Sequence, residues 1–555
     1  MSERSDATRL NLMTGTRPLA DAGWRRQVLL DAEAKNEDPA LYGLEAAVNR
    51  ERASGLATAD PPAIAASWPL VPSEALGELC REQIAAARAA AQEYRAFSLE
   101  RRIALVRAVG ARLLGQLELW RELTVQEGYC FNTFLTSLDA IVRGFDEDYL
   151  RYIARELAPT PKGPYARVER VPYGVVGVIV PANASFPMLT QVIEGALLSG
   201  NAIIAKPSHK LAVVALRLIE EVARVLEEHG APSALVSSVA CRSTQELIDR
   251  WLSSGDGGDQ ATIDQLVYIG SSRHRDSLIE RCRRAGGPPP ILEFEGVDAA
   301  YVHGDLSDAR LAEVAALIAY AKNVASGQYC VSLKRLYVDA RVHDRLVALL
   351  REEFARYRPG PLRSDDPFIM GPCGQAAKFP GVVSAFLDEG GQLICGGARL
   401  DVRGCVCDQG PYVEPTLITG ARPESALLRR EHSMPLLPVV KVDGGAREAA
   451  GHIERAGFGL RCSLFADDPE VARVFEGEVT VGTLIVNGNH LDFSVQIAGG
   501  RGGTTLDQNA RVWALDLTVR RVRIDRAPRE SPREILRRAA SVRQQLSASR
   551  GRSTR

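Results

Sequence analysis

The spacing of apolar and polar residues predicts a helical segment followed by alternating strands and helices. From about residue 74 to 158, apolar residues recur every three to four positions in segments rich in Ala, Leu and Arg, as in amphipathic helices. After the prolines of APTPKGP, the sequence ARVERVPYGVVGVIVPA first alternates and then becomes continuously apolar. This change is typical of a surface strand followed by a buried parallel strand.

The following segments alternate between short apolar strands and longer amphipathic helices. The helix TQVIEGALLSG, the strand NAIIAKPS, the helix LAVVALRLIEEVARVLEEHG and the strands ALVSSVA and QLVYIG occur in this order. A second series begins after Glu293 and includes a helix at 308–323, the strand RLYVDA and a helix at 342–356. Strands and helices that alternate at this spacing predict an α/β fold with two doubly wound lobes.

These patterns also indicate where the domains begin and end. We expect an N-terminal extension at 1–73, a first lobe formed by residues 74–150 and 168–297, and a second lobe at 298–490. Residues 526–555 are polar and rich in Arg, as in a solvated or partner-seeking tail. The length of 555 residues agrees with two lobes, because a single core stops growing near roughly 250–300 residues.

Composition and charge narrow the classes of function. The chain is 46% hydrophobic and 25% charged, and its formal net charge is −1, so no global field attracts nucleic acid or an acidic membrane. The polar N-terminus lacks the apolar core of a signal peptide, and no apolar run reaches the roughly 20 residues of a membrane span. We therefore expect a soluble cytoplasmic protein that binds neither nucleic acid nor membranes.

Ten cysteines are scattered along the chain and do not form a disulfide framework. The nearest pair is Cys405 and Cys407, which has neither a second pair nor a histidine partner and predicts no metal site. Taken alone, Cys330 in ASGQYCVSLKRLYV is a small buried residue more often than a nucleophile. A nucleophilic cysteine needs a helix end or a positive charge that stabilises its thiolate.

Polar residues follow the ends of several predicted strands, where α/β folds place their ligands. Asn183 could donate its amide to an oxyanion or could simply form a turn. Lys206 could bind a ribose or a phosphate, or could be an ordinary lysine at a strand end. The backbone of Gly270 and Ser271 could face a pyrophosphate, although the glycine fingerprint GxGxxG is absent. Glu293 could be a general base or a solvated strand-edge residue.

The ordered set of these segments resembles the aldehyde dehydrogenase superfamily over about residues 74–525. PYGVVGVIVPANASFP is similar to PxGVxGxIxPWN, GALLSGNAIIAKPSH to PALAAGNxVVxKPSE, VYIGSS to FTGS, and ILEFEG to LELGGK. SGQYCVSLKRLYV resembles the nucleophile segment NxGQxCxAxxRxxV. PFIMGPC, GPYVEPTL, REHSMPLLPV and GFGLRCSLFADD follow in the family's order. The resemblance identifies the superfamily and does not identify a substrate.

The resemblance implies a role for each matching residue. Cys330 would attack the carbonyl of an aldehyde, and the Asn183 amide and the Cys330 backbone N–H would hold the oxyanion. After hydride transfer, Glu293 would activate the water that hydrolyses the thioester. NAD or NADP would be the cofactor. Glu431 would bind its nicotinamide ribose. The other cofactor-binding residues would lie at the strand ends and are Pro181, Lys206, Ser208, His209, Gly270 and Ser271.

The resemblance further implies a homodimer or homotetramer, with oligomerisation strands within 151–167 and 506–525.

Several positions depart from the family pattern. His209 replaces a glutamate that contacts the adenosine ribose, which removes a repulsion against the 2′-phosphate of NADP and leaves the choice between NAD and NADP open. Ala182 replaces a tryptophan, so the substrate funnel is not the familiar aromatic one. The remaining departures are Glu295–Val297 in place of GGK, Ala325 in place of Asn, and Ser433 in place of Phe.

Three functions remain open at this stage. The first is oxidation of an aldehyde to a carboxylic acid. The second is a CoA-acylating or acyl-reducing reaction, in which a thiol or a reduced cofactor replaces water; the retained Glu293 argues for hydrolysis. The third is a catalytically silent scaffold, which the retention of Cys330, Asn183, Lys206 and Glu431 argues against.

Overall fold

The computed structural model describes residues 71, 73–163, 165–208, 212–253, 262–401, 403–493, 499–506, 511–525, 531, 533, 534 and 536–541. Nearly all of the expected N-terminal extension at 1–73 lies outside these residues. The candidate cofactor residue His209 and most of the expected tail at 526–555 also lie outside them.

Helices and strands alternate through most of the described residues. The helices are α1 Ser73–Tyr94, α2 Leu99–Leu114, α3 Leu117–Gln126, α4 Phe131–Gly144, α5 Glu147–Leu157, α6 Ser185–Ser199, α7 Val213–Glu228, α8 Thr244–Leu252, α9 Arg275–Arg284, α10 Asp308–Asn323, α11 His343–Phe354, α12 Phe379–Asp388, α13 Gly445–Glu454, α14 Pro469–Glu478 and α15 Trp513–Asp516. Of these helices, none is long and apolar enough to cross a membrane.

The strands are β1 Thr160–Pro161, β2 Ala166–Pro172, β3 Val175–Ile179, β4 Ala202–Lys206, β5 Val236–Ser238, β6 Gln265–Ile269, β7 Ile291–Glu293, β8 Ala299–Val302, β9 Arg335–Asp339, β10 Arg358–Pro359, β11 Ile369–Met370, β12 Gln392–Cys395, β13 Arg399–Leu400, β14 Tyr412–Val413, β15 Thr416–Thr419, β16 Leu436–Val442, β17 Phe458–Gly459, β18 Arg461–Phe465, β19 Thr483–Val486, β20 Arg501–Gly502 and β21 Thr518–Ile524.

The first lobe is built on a parallel sheet of five strands in the order β5-β4-β3-β6-β7. Every residue of β3, β4, β5 and β6 is buried, because helices cover both faces of such a sheet. This burial explains why their sequences are continuously apolar rather than alternating. The reversal of strand order beside β3 brings the carboxyl ends of β3, β4 and β6 to one edge, where ligands bind in this kind of fold.

The second lobe contains a sheet of seven strands in the order β12-β15-β16-β9-β8-β18-β19. All neighbouring pairs are parallel except β12 with β15, which is antiparallel. Helices α10 and α11 were expected at 308–323 and 342–356 and are found at Asp308–Asn323 and His343–Phe354. The prediction of an α/β fold with two doubly wound lobes is therefore confirmed.

Helix α6 connects β3 with β4, and every one of its residues is buried. It packs against α15, α4 and α2. A Cβ at Gly195 would lie closer than 3 Å to the backbone of Trp513, so only glycine permits this approach. The amino end of α6 follows Asn183 directly, and this rigid helix therefore fixes one side of the candidate site.

A third sheet has the order β1-β2-β21 and is antiparallel throughout. The expectation of strand structure over 151–167 is wrong for its first half, because residues up to Leu157 belong to α5. The side chain of Asp146 caps this helix by accepting from the N–H groups of Asp148 and Tyr149. The strand β2 begins only at Ala166, and within 506–525 the strand β21 begins only at Thr518.

Candidate active site

The loop before Cys330 has an unusual backbone conformation. Ala325, Ser326 and Gly327 have φ angles of 52°, 54° and 67°, which lie in the left-handed region that alanine and serine seldom adopt. Such a conformation persists only where the surroundings impose it. The Ser326 hydroxyl is buried and donates to the carbonyl of Gly371 at 2.7 Å, which fastens the loop to the MGPC segment.

Gln328 makes a second connection between this loop and the same segment. Its amide donates to the carbonyls of Ala325 at 3.0 Å and Pro372 at 3.1 Å, and its side-chain oxygen accepts from the N–H of Gly374 at 2.7 Å. The loop that carries Cys330 is therefore held by hydrogen bonds on both sides of its strained turn.

Asn183 lies next to the nucleophile loop, as the sequence predicted. Its side-chain amide donates to the carbonyl of Gln328 at 2.8 Å, two residues before Cys330. A primary amide carries two N–H donors, so one N–H holds the loop and the second can serve an oxyanion. Asn183 follows β3 in the turn before α6, which explains how a residue distant in sequence reaches Cys330.

The two carboxylates of ILEFEG have different partners. Glu293 is the last residue of β7 and is 1% exposed, and it accepts from the N–H of Gly499 at 2.8 Å. Glu295 lies beyond the strand and accepts from the Ser271 hydroxyl at 2.9 Å and from the Ser272 N–H at 3.0 Å. Glu293 is therefore buried, so the alternative of a solvated strand-edge residue that was weighed for it is wrong.

Lys334 is a buried cation that the sequence analysis did not identify. Its side chain is 1% exposed, and its ammonium donates to the carbonyls of Tyr329 at 2.5 Å and Ser332 at 2.9 Å. A longer contact of 3.4 Å reaches the carbonyl of Cys330. Its only signal in the sequence was a lysine placed in an apolar segment between the cysteine and a buried strand.

The charged groups around Cys330 shift the pKa of its thiol in opposite directions. Burial raises the pKa of the Cys330 thiol above its ordinary value, and the carboxylates of Glu431 and Glu293 raise it further. Lys334 lowers the pKa of the same thiol. Lys334 therefore provides the favourable charge that a thiolate at this position needs.

Glu431 forms an ion pair with Lys334. Its carboxylate is 3.6 Å from the Lys334 ammonium, and its side chain is 12% exposed. Burial raises the pKa of Glu431, and the nearby Lys334 lowers it. The residue expected to bind a nicotinamide ribose is thus close to the nucleophile and is already paired with a cation of the chain.

The remaining candidate cofactor residues lie at the carboxyl edge of the five-stranded sheet. Pro181 and Ser208 follow β3 and β4 and are half-buried, and Lys206 ends β4 and is 2% exposed. Burial lowers the pKa of Lys206. Gly270 and Ser271 follow β6, and the Gly270 N–H donates to the carbonyl of Glu293 at 2.9 Å.

A dinucleotide fits this edge of the sheet. The turn after β6 already binds an anion, since the Ser271 hydroxyl and the Ser272 N–H both donate to the carboxylate of Glu295. The same donors suit the oxygens of a pyrophosphate. Among the described residues, no cluster of His, Cys, Asp or Glu could hold a metal ion, and the cysteines form no disulfide.

A small pocket opens beside Cys330. Apolar side chains from α4, α6 and the nucleophile loop form most of its wall. A neighbouring pocket shares Ser137, Ala184, Pro187 and Tyr329 with it and includes Asn183. Tyr329, which directly precedes Cys330, lines both pockets.

Comparison with known proteins shows the family of the chain. The profile of the aldehyde dehydrogenase family matches residues 71–521. A 3,6-anhydro-α-L-galactose dehydrogenase of Streptomyces coelicolor is 28% identical over 431 residues, which are 75% of this chain and 82% of that protein. A 3-sulfolactaldehyde dehydrogenase of Priestia aryabhattai is 26% identical over 336 residues, which are 60% of this chain and 64% of that protein.

Solved structures share the fold. An NAD-dependent aldehyde dehydrogenase from Sinorhizobium meliloti has a TM-score of 0.71 at 24% identity, and the match covers 84% of this chain and 89% of that one. A glyceraldehyde-3-phosphate dehydrogenase from Methanocaldococcus jannaschii, complexed with NADP, has a TM-score of 0.70 at 18% identity, and the match covers 82% of this chain and 96% of that one. From the family match and this shared fold, we conclude that the chain belongs to the aldehyde dehydrogenase family.

Proposed function

We propose that this protein oxidises an aldehyde to a carboxylic acid with NAD or NADP as the hydride acceptor, and that Cys330 is the nucleophile. The observation that carries the proposal is the convergence of three groups on the Cys330 loop. The Asn183 amide binds the loop at 2.8 Å, the Lys334 ammonium binds its carbonyls, and Glu293 is close enough to raise the pKa of the thiol.

In the first step, the Cys330 thiolate attacks the aldehyde carbon to form a C–S bond, and the carbonyl π electrons move to oxygen. The second N–H of the Asn183 amide stabilises that oxyanion, because its first N–H is held by Gln328. The fixed loop keeps the sulfur in place during the attack. These two residues therefore perform the part of the reaction that precedes oxidation.

NAD(P), when bound, supplies the acceptor for the hydride. We propose that residues 74–150 and 168–297 bind it, and that 298–490 contribute the nucleophile. The residues that would hold it are Lys206, Ser208 and His209 for the adenosine ribose, Pro181, Gly270 and Ser271 near the pyrophosphate, and Glu431 for the nicotinamide ribose. The burial of Lys206 at the end of β4 supports this assignment.

In the last step, Glu293 removes a proton from water, and the resulting hydroxide attacks the thioester at Cys330. The C–S bond breaks, which releases the carboxylic acid and regenerates the cysteine. A carboxylate held beside the thioester suits this role because it can accept a proton from water. Glu293 is 1% exposed, which supports the assignment.

A single-turnover experiment tests this proposal. Enzyme mixed with NAD or NADP and a panel of aldehydes should give a burst of reduced cofactor, and Cys330→Ser should abolish that burst. The acid should accumulate whether or not CoA is present. Formation of acyl-CoA instead of acid would support the CoA-acylating alternative, and the absence of any burst despite bound cofactor would support a silent scaffold.

Cofactor choice can be tested separately by thermal shift, because a ligand that binds the native state raises the melting temperature with its occupancy. His209 in place of a glutamate removes a negative charge from the expected ribose site. We therefore expect NADP as well as NAD to stabilise the protein. Stabilisation by NAD alone would contradict this expectation.

We further propose that the protein is a cytoplasmic homodimer or homotetramer assembled through β21. The support is the exposed apolar surface of that strand, where Val522 and Ile524 are each 64% exposed. Exposed β-branched residues on an edge strand favour pairing with a second copy.

A further inference from the structure

The pocket beside Cys330 has an apolar and electrically neutral wall. Ala184, Met188, Val331 and Phe493 present carbon atoms to it. Hydroxyl groups also line the pocket, but other groups of the protein already engage them. The Thr136 hydroxyl, for example, donates to the carbonyl of Asn132 at 2.8 Å.

No lysine, arginine or histidine is among the described residues that line this pocket or the neighbouring one. Glu127, which lines the neighbouring pocket, adds a carboxylate there. An anionic group buried here would lose its hydration, and no cationic side chain of the described lining would pair with it, which is costly.

We propose that the substrate is an uncharged aldehyde whose apolar portion packs beside Cys330. This inference rests on the proposed aldehyde oxidation and specifies its substrate class. Aldehydes that carry a sulfonate, a phosphate or a carboxylate are poor substrates, because the wall offers them no cation. The protein therefore differs in substrate charge from the dehydrogenases of similar sequence and fold that are named for sulfolactaldehyde and glyceraldehyde 3-phosphate.

A pair of probes that differ in one charge tests the inference. The measured quantity is kcat/KM for methyl 4-oxobutanoate and for the 4-oxobutanoate anion, with hexanal as a purely apolar aldehyde. We expect the ester and hexanal to exceed the anion by about 100-fold, as the cost of burying an unpaired charge predicts. Equal values, or a preference for the anion, would overturn the substrate class while leaving aldehyde oxidation intact.

Activity on none of the three aldehydes, with cofactor binding confirmed, would overturn the proposed function and this inference with it. A variant adds an independent check. Met188→Lys places a cation in the wall and should raise kcat/KM for 4-oxobutanoate relative to its ester. Met188→Leu, the matched control, should keep the preference of the original protein. A Lys variant with an unchanged preference would argue against the pocket as the substrate site.

A second inference concerns the turn after β6. The carboxylate of Glu295 accepts from the Ser271 hydroxyl at 2.9 Å, and both of its oxygens are 3.0 Å from the Ser272 nitrogen. Ser271 is one of the residues assigned to the pyrophosphate. A carboxylate and a pyrophosphate oxygen cannot accept from the same donors at the same time, and like charges repel at short range.

We infer that Glu295 weakens dinucleotide binding and must leave this turn before the cofactor can bind. The inference rests on the proposed use of NAD(P) and identifies a residue that sets its affinity. The corresponding position of the family segment LELGGK is a glycine, which carries no charge. Because of Glu295, this chain therefore binds the cofactor more weakly than family members that have glycine at this position.

The test is direct titration of NADH and NADPH by fluorescence, which requires no turnover. Glu295→Gln keeps a hydrogen-bond acceptor and removes the charge, whereas Glu295→Gly removes both. We expect both variants to lower the Kd about 10-fold, a shift typical of one close charge. Glu280→Gln removes an exposed carboxylate of α9 and serves as the control, with a Kd within twofold of the original.

The outcomes distinguish a failure of the inference about Glu295 from a failure of the proposed function. A Kd that neither Glu295→Gln nor Glu295→Gly lowers would overturn the inference about Glu295. A lower Kd only for Glu295→Gly would show that occupancy of the turn, and not charge, limits binding, which still supports displacement. Failure of every protein, including the original, to bind either cofactor would overturn the proposed function instead.

Discussion

At the scale of single residues, Lys334 and the carboxylates around Cys330 have opposite effects on the pKa of the Cys330 thiol. Glu431 and Glu293 both raise the pKa of the Cys330 thiol, and burial acts in the same direction. The Lys334 ammonium lowers that pKa while it donates to the carbonyls of Tyr329 and Ser332. One side chain thus combines an electrostatic effect on the sulfur with a geometric effect on its loop.

The first prediction is that Lys334→Met slows alkylation of Cys330 by iodoacetamide. The thiolate is the reactive form, so the rate rises with pH below the pKa and levels off above it. Loss of the cation raises the pKa, and the profile should move upward by about one pH unit. Mass spectrometry of the Cys330 peptide measures the rate from pH 7 to 11.

Lys441→Met provides a control for this measurement, because Lys441 is exposed on β16. Lys334→Arg keeps the charge and should restore part of the original profile. If Lys334 only supported the loop, Lys334→Met would lower the melting temperature and leave the pH profile of the folded protein in place. An unchanged profile would therefore refute the electrostatic role.

The second prediction concerns Asn183, whose amide holds Gln328 with one N–H and can stabilise an oxyanion with the other. Asn183→Ala should lower the burst rate by about 10²–10³, the usual cost of losing one oxyanion donor. Stopped-flow measurement of reduced cofactor reports the rate, and titration of NADH should give an unchanged Kd. A burst rate within threefold of the original would show that Asn183 is only a structural residue.

At the scale of elements, the nucleophile is positioned by segments that are far apart in sequence. The turn of residues 325–327 is held in the left-handed region by the MGPC segment, through the Ser326 hydroxyl and the amide of Gln328. The connection between β7 and β8 approaches from another side. There, a Cβ at Gly296 would overlap the carbonyl oxygen of Cys330.

The third prediction follows from this close approach. Gly296→Ala should displace the backbone of Cys330 and destabilise the protein by about 1–3 kcal/mol, as overpacking does elsewhere. It should also reduce the burst rate. Thermal or chemical unfolding measures the first effect.

Gly381→Ala is the control for Gly296→Ala. Gly381 lies in α12, where a Cβ would have no atom within 4 Å. Alanine favours a helix over glycine by about 1 kcal/mol, so this variant should be as stable as the original or more stable. A Gly296→Ala protein with full activity and stability would contradict the packing seen between these two loops.

At the scale of the whole molecule, two large and mainly parallel sheets supply the site, and a separate small sheet is antiparallel. In the small sheet, β2 pairs with β21 from Ala166 with Ile524 to Pro172 with Thr518. Glu169 in β2 forms ion pairs with Arg167 and Arg521. The side chains of β21 nevertheless remain largely exposed, which leaves an apolar edge for a second copy.

The fourth prediction is that Val522→Glu combined with Ile524→Glu lowers the mass of the assembly in solution. The two charges would face each other across a two-fold interface and would remove its apolar contact. Light scattering coupled to gel filtration measures the mass. Leu387→Glu, at an exposed site on α12 that is 37% exposed in the original, should leave the mass unchanged. An unchanged mass for the β21 variant would place the interface elsewhere.

The sequence by itself determined the fold class and the candidate residues at the strand ends. Strand and helix periodicity is local, so β3, β4 and β6 and the helix Asp308–Asn323 could be predicted without tertiary information. The order of motifs around Cys330 then identified the family. The strand expected at 151–167 was placed too early, because the helix that begins after the Asp146 cap continues to Leu157.

Only the tertiary structure decided which charges meet. Lys334 and Glu431 are almost a hundred positions apart and lie 3.6 Å from each other, and Glu295 reaches back to Ser271 across the sheet edge. Periodicity contains no information about such pairs, because it reports which face a residue occupies and not which distant residue is opposite. Electrostatic energy depends on distance and burial. The affinity for a cofactor and the reactivity of Cys330 are therefore properties of the folded chain.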